Sequence, residues 1–191
     1  MPTVKDIFRG RYQPLLVLVI VSLLVRWTTY YYYYQLYTDV GGLHFSPIAD
    51  EASTYEILAR QILSGNGLSH ELFSYRPPLQ PMFIALTYLV SGSTNPLIAV
   101  FVQSFISTGL AILTFIIAEE LTMSKPAQFF SGLIVALDPA SIIIGMTLMA
   151  ETLSNIFIAT SMIFIIRLMR SRNMRDAAAA GAAIALATLA R

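Results

Sequence analysis

Apolar positions in this chain come in long unbroken runs, not in alternation. They occupy Pro14 to about Tyr34, Leu79 to Val90, Leu97 to Ala118, Ala127 to Ala150, Glu151 to Met169 and Ala177 to Ala190. A run of ~20 apolar residues is the length a helix needs to cross a ~30 Å hydrocarbon layer. The pattern predicts an all-α, polytopic transmembrane protein. Between the first two runs the chain turns polar. There Asp50-Glu51 precedes Tyr55, Ala59 and Leu63 at helical spacing, and Gly65-Asn66-Gly67 comes after. This predicts a juxtamembrane helix over about 50–64, stopped by the glycines.

Charge decides which runs span. Lys5, Arg9 and Arg11 precede the first run, and Arg167, Arg170, Arg172 and Arg175 mark the end of the fifth. The positive-inside rule assigns both clusters to the cytoplasm, so one crossing between them must be removed. Leu79 to Val90 is the one, because its 12 residues rise only ~18 Å as a helix. The expected spans are therefore about 14–34, 97–118, 127–150, 151–169 and 177–191, with interfacial helices at about 50–64 and 79–90. The N-terminus is placed in the cytoplasm; the loop Gln35 to Asn95 and the turn at Glu151 are external. The first run lacks a small-x-small cleavage site and continues through Arg26, Trp27 and Tyr30 to Tyr34, which marks an uncleaved signal anchor with an aromatic belt. Arg26 is expected to snorkel toward that interface. Asp138, mid-span beside Pro139, is expected to meet a partner helix or the backbone donors freed by a proline kink.

Composition narrows the function classes. Of 191 residues, 56% are apolar and 12% charged, about half the ~25% charge of soluble domains, which excludes a water-soluble domain and identifies the lipid bilayer as a partner. A net charge of +1 gives no basic stripe for nucleic acid. The absence of cysteine excludes disulfides and thiol chemistry, and His44 and His70 have no zinc-ligand spacing. Ala177, Gly181 and Ala185 form a small-residue face suited to close helix packing. The chain stops at Arg191 while still apolar, so it is expected to be the N-terminal part of a longer transmembrane domain.

The candidate chemistry is in the polar loop. From Gln35 to Pro78 five carboxylates and two arginines leave a net charge of −3. Asp50 and Glu51 fit a general base, and they equally fit the acidic start of a helix. In Tyr75-Arg76-Pro77-Pro78-Leu79-Gln80-Pro81 the prolines stiffen the backbone around Arg76, whose planar fork can bind a phosphate or simply anchor a turn at the interface. Glu151 stands at the edge of a span, as a functional carboxylate or as a helix cap.

Asp50-Glu51 with Tyr55 and Ala59, Gly65-Asn66-Gly67, Arg76 to Pro81, Gln103, Ala136-Leu137-Asp138-Pro139, Met149 to Leu153 and Gly181 to Arg191 succeed one another in a familiar order. In this the chain resembles the polyprenyl-phosphate-sugar-dependent membrane glycosyltransferases of the type C superfamily. The branch is that of the dolichyl-phosphate-mannose protein mannosyltransferases and bacterial aminoarabinose transferases. The resemblance covers about Pro14 to Arg191. It implies an enzyme of the cell envelope that takes sugar from a polyprenyl-phosphate donor at the outer membrane face and passes it to a hydroxyl acceptor in a lipid, glycan or protein. The family's base maps onto Asp50 or Glu51 and its second acidic position onto Glu151; Arg76 would hold the donor phosphate. Asp50 and Glu151 could also hold a divalent metal, Mg or Mn, and metal dependence varies within the family. Two other readings stay open, a transporter or flippase for lipid-linked sugars and a non-catalytic membrane subunit.

Overall fold

The computed structural model describes residues 12–39, 51–69 and 71–191. Among these every regular element is helical: α1 (Tyr12–Asp39), α2 (Glu51–Leu63), a 3-10 turn (Glu71–Ser74), α3 (Leu79–Ser91), α4 (Pro96–Glu120), α5 (Lys125–Leu137), α6 (Pro139–Gly145), α7 (Glu151–Ser171) and α8 (Met174–Ala190). Three helices, α1, α4 and α7, are long and apolar enough to cross a membrane, and α5 with α6 make a fourth if the bent pair is one span. The protein is thus a polytopic helical membrane protein.

Helix α4 is the axis of the bundle and packs against α1, α3, α5, α6 and α7. Its start is set locally: the Asn95 side chain accepts from the Leu97 amide at 3.0 Å, and Pro96 occupies the first turn, where its missing N–H costs nothing. The buried face of α4 runs Val100, Gln103, Ser104, Ser107, Thr108, Ala111, Phe115 and Ala118, a stripe recurring every three or four residues. It is made largely of small and hydroxyl-bearing groups, which is how helices approach closely when lipid removes the hydrophobic drive between them. Gly132 of α5 shows how closely: a Cβ there would lie 2.8 Å from Leu18 Cδ1 and 2.9 Å from the Ala111 carbonyl oxygen.

Three expectations from the sequence change here. The run 127–150 is not one straight span. It breaks between α5 and α6 at Asp138, with a bend of 53°, because Pro139 has no N–H to continue the helix and disfavours helical geometry at the residue before it. Arg26 does not snorkel; it is fully enclosed between helices, since Ser22, Ser107 and the Ala136 carbonyl give it better partners than the interface could. Finally, α8 turns Ala180, Ala183, Ala187 and Ala190 inward against α7, while Gly181 and Ala185 are exposed.

One end of the bundle carries the basic cluster. Arg167 Nε donates to Glu120 Oε1 at 2.7 Å and Arg170 donates to the Glu120 carbonyl, so the C-terminal ends of α4 and α7 are tied together. The opposite end carries α2, α3 and the segment leading into α7.

Candidate functional site

At this second end the fold gathers four separate stretches around one buried cluster. Ala52, Tyr55 and Ala59 come from α2; Ile84, Ala85 and Tyr88 from α3; Ala99 and Val100 from α4; Met146, Leu148 and Ala150 from the segment between α6 and α7. The spacing of Tyr55 and Ala59 that predicts a helix is what puts both on the buried face. A second link ties α2 down at its middle. Glu56 is buried, pairs with Arg60 and accepts from the Tyr88 hydroxyl at 3.5 Å, while Arg60 Nη2 reaches the Thr94 carbonyl at 3.1 Å.

The expected site residues stand around this cluster. Asp50 lies outside the described residues. Glu51 is the first residue of α2, immediately before buried Ala52. Glu151 is the first residue of α7, immediately after buried Ala150. The two glutamate positions are therefore each one residue away from members of the same cluster, although they are a hundred positions apart in the sequence. Glu151 is in the first turn of its helix, where a carboxylate complements the partial positive charge of free amides. Glu151 is mostly shielded and pairs with Arg191, Oε1 to Nη2 at 3.7 Å.

Arg76 is held where the prolines predict, between the 3-10 turn and α3. Its guanidinium lies 5.5 Å from the centre of the Tyr55 ring, within cation–π range. Tyr55 is one helical turn beyond Glu51, so the arginine is brought to the N-terminal turn of α2. Pro77 and Pro78 then lead into α3, whose far end is closed by Gly92 in the left-handed region at φ 66°. A glycine takes that conformation without the clash a side chain would meet.

The sequence pattern contains Gln80 and Gln103 without giving them a task, and the structure supplies one. Both are fully buried. Gln80 Nε2 donates to Gln103 Oε1 at 3.1 Å, and Gln103 Nε2 turns to the carbonyls of Gly145, at 3.3 Å, and Thr147, with Thr152 Oγ1 at 3.4 Å. A lone amide buried in an apolar helix must find partners. Here they are the free carbonyls at the C-terminal end of α6, so α3 and α4 together fix the segment that presents Glu151. Arg191 is a second residue the sequence does not announce; nothing in its local pattern points to Glu151.

Asp138 serves the backbone, one of the two tasks expected of it: its Oδ2 accepts from the Ser141 amide at 2.7 Å and caps α6. It also borders a cavity of about 230 Å³ with Ser107, Ser141, Thr152 and Asn155. Among the described residues no three acidic or histidine side chains converge as a metal site would require. Residues 16–191 match the family model for the dolichyl-phosphate-mannose-protein mannosyltransferases. No curated relative and no solved structure matches the chain.

Proposed function

Given that the chain belongs to the dolichyl-phosphate-mannose-protein mannosyltransferase family and is a membrane glycosyltransferase, we propose that it moves a sugar from a polyprenyl-phosphate donor to a hydroxyl acceptor at the outer membrane face. The single observation that carries this reading is the common cluster that adjoins positions 51 and 151 and includes Tyr55, over which Arg76 lies: it supports a site that draws two acidic positions and one arginine from one end of the bundle. A hydroxyl is a poor nucleophile. Asp50, with Glu51 the alternative, takes its proton as the hydroxyl oxygen bonds to the anomeric carbon. The bond from that carbon to the phosphate oxygen breaks, and its electron pair leaves with the polyprenyl phosphate. Arg76 stabilises that departing charge through its guanidinium fork. Glu151 orients the acceptor, and Arg191 keeps it aimed.

The test uses the full-length chain in membrane vesicles, supplied with a panel of polyprenyl-phosphate sugars and assayed for sugar transfer. Transfer that requires a carboxylate at Asp50 or Glu51 supports the proposal. Movement of the lipid-linked sugar across the bilayer without any transfer would favour a transporter instead. Accessibility mapping supplies the orientation: sites near Gly65 and Glu151 should be labelled from outside, and sites near Ser124 and Asn173 from inside. Labelling of Gly92 from the cytoplasm alone would make α3 a span and reverse the arrangement.

A further inference from the structure

Arg26 is a fully buried cation inside a membrane span. Its level is deep: it donates through Nε to Ser107 Oγ at 2.9 Å, and Ser107 lies eleven residues beyond the start of α4 and thirteen before its end. Nη1 reaches Ser22 Oγ at 2.6 Å and the Ala136 carbonyl at 3.1 Å; Nη2 has no partner among the described residues. Ala136 belongs to the last turn of α5, where the break removes the amides that would otherwise bond its carbonyls. Arg26 is therefore a cation at the C-terminal end of one half-helix. Asp138 is an anion at the N-terminal end of the next. Both signs suit the helix dipoles they meet, and the arginine's hydrogen bonds go to Ser107, Ser22 and the Ala136 carbonyl, not to that carboxylate. Ser107 joins the two, since it bonds Arg26 and lines the cavity beside Asp138.

Beyond the break the chain has little slack. Helix α6 has seven residues, the carbonyls of its last residue Gly145 and of Thr147 beyond it accept from Gln103, and Met146, Leu148 and Ala150 are sunk in the cluster below α2 and α3. Glu151 comes next. This short, slack-free strap is the covalent path by which the bend at Asp138 bears on the position of Glu151.

We propose that Arg26 is a positioning residue, which with Asp138 sets the bend between α5 and α6 and thereby the place of Glu151. This rests on the proposed function only where Glu151 is said to act in transfer; the placement of 146–151 does not depend on it.

Because residues 1–191 contain no cysteine, Met149→Cys in a full-length protein freed of any cysteine beyond residue 191 carries one thiol beside Glu151, and its labelling in membranes by an impermeant maleimide reads the strap directly. Arg26→Met should change that rate by about fivefold or more as the segment loosens. Arg26→Lys should fall between, having the charge but not the fork. Arg26→Met with Asp138→Asn should return toward the parent, since no charge is left unbalanced, and this pair keeps the test open if the single variant fails to accumulate. Unchanged labelling in Arg26→Met would overturn the proposal, and so would labelling of the pair displaced from the parent's by about fivefold or more. In the transfer assay Arg26→Met should lower kcat about tenfold with donor KM unchanged, and cost less than about twofold once Glu151→Gln is present. Full additivity of those two changes would also overturn it. If labelling shifts but no form of the chain transfers sugar, the proposed function fails and the positioning device stands.

Discussion

The loop end of the bundle and its middle are built on opposite principles. The loop end, beside water, is held by alanine, isoleucine and tyrosine side chains from four stretches. The middle, deep in the span, is held by Arg26, Ser22, Ser107, Thr108 and Gln103, with Ser22 bonded to Thr108 at 3.2 Å. A soluble protein would arrange these the other way round. Near water, removing apolar surface is itself a driving force. Among lipid tails it is not, and hydrogen bonds plus close contact between small residues must do the holding. The two regions should therefore fail differently, the first by losing chemistry and the second by losing its geometry.

The largest effect is expected at the loop end. Asp50→Asn keeps the size and the capping ability of the side chain but cannot take a proton, so transfer should fall by ~10²-fold or more at unchanged expression. Near-normal transfer in both Asp50→Asn and Glu51→Gln would place no chemistry there and erase the contrast.

Next comes close packing in the middle. Gly132→Ala forces a methyl onto the Ala111 backbone, and Gly145→Ala puts one 2.6 Å from Ser107 Oγ, displacing the hydroxyl that holds Arg26. Each should lower stability by ~1–3 kcal/mol in detergent melts. Gly181→Ala is the comparison, as nothing lies within 4 Å of its added carbon; it should be neutral or stabilising by up to ~1 kcal/mol through helix propensity. Equal losses at all three glycines would mean that contact does not decide.

Gln103→Leu tests the junction of the two regions. It leaves the α6 carbonyls and Gln80 without their partner, and a melt should show a loss of ~1–3 kcal/mol. At the edge of the site, Arg76→Lys should weaken donor use without unfolding the protein, and Tyr55→Leu should remove a cation–π contact of ~0.5–1 kcal/mol; equal donor affinity in Arg76→Ala would reduce Arg76 to an anchor. The smallest effect is expected at the opposite end, where Arg167→Ala breaks an exposed pair with Glu120 valued at ~0.2–1 kcal/mol and screened by salt.

Legibility in the sequence divides along the same line. Apolar run length is a one-dimensional signal, so the membrane-spanning character is readable directly, and the two prolines after Arg76 announce the corner where it sits. Pro139 marks the break as well, yet a run of apolar letters on both sides of it looks like one span, because hydropathy counts residues and does not see direction. Arg26 is hidden for a deeper reason. A charge within a span and near aromatics has an easy escape to the interface, and only Ser107 and Ala136, brought in by other helices, show that it has no need of one. Gln103 is visible as a lone amide in an apolar helix, but its partners in 144–152 come from tertiary packing. How Glu151 and the start of α2 come to share one cluster is written in no local pattern.

The wiring of Arg26 also bears on how the chain is made. Its partners Ser107 and Ala136 lie 81 and 110 residues further along. At a synthesis rate of about 5–20 residues per second they emerge roughly 5 to 20 s later. For that interval the first helix carries an arginine whose insertion is charged at about 2.5–3.5 kcal/mol, with only Ser22 of its own turn to satisfy it. The finished bundle thus supplies what the emerging helix lacks, the Ser107 hydroxyl first and the Ala136 carbonyl last.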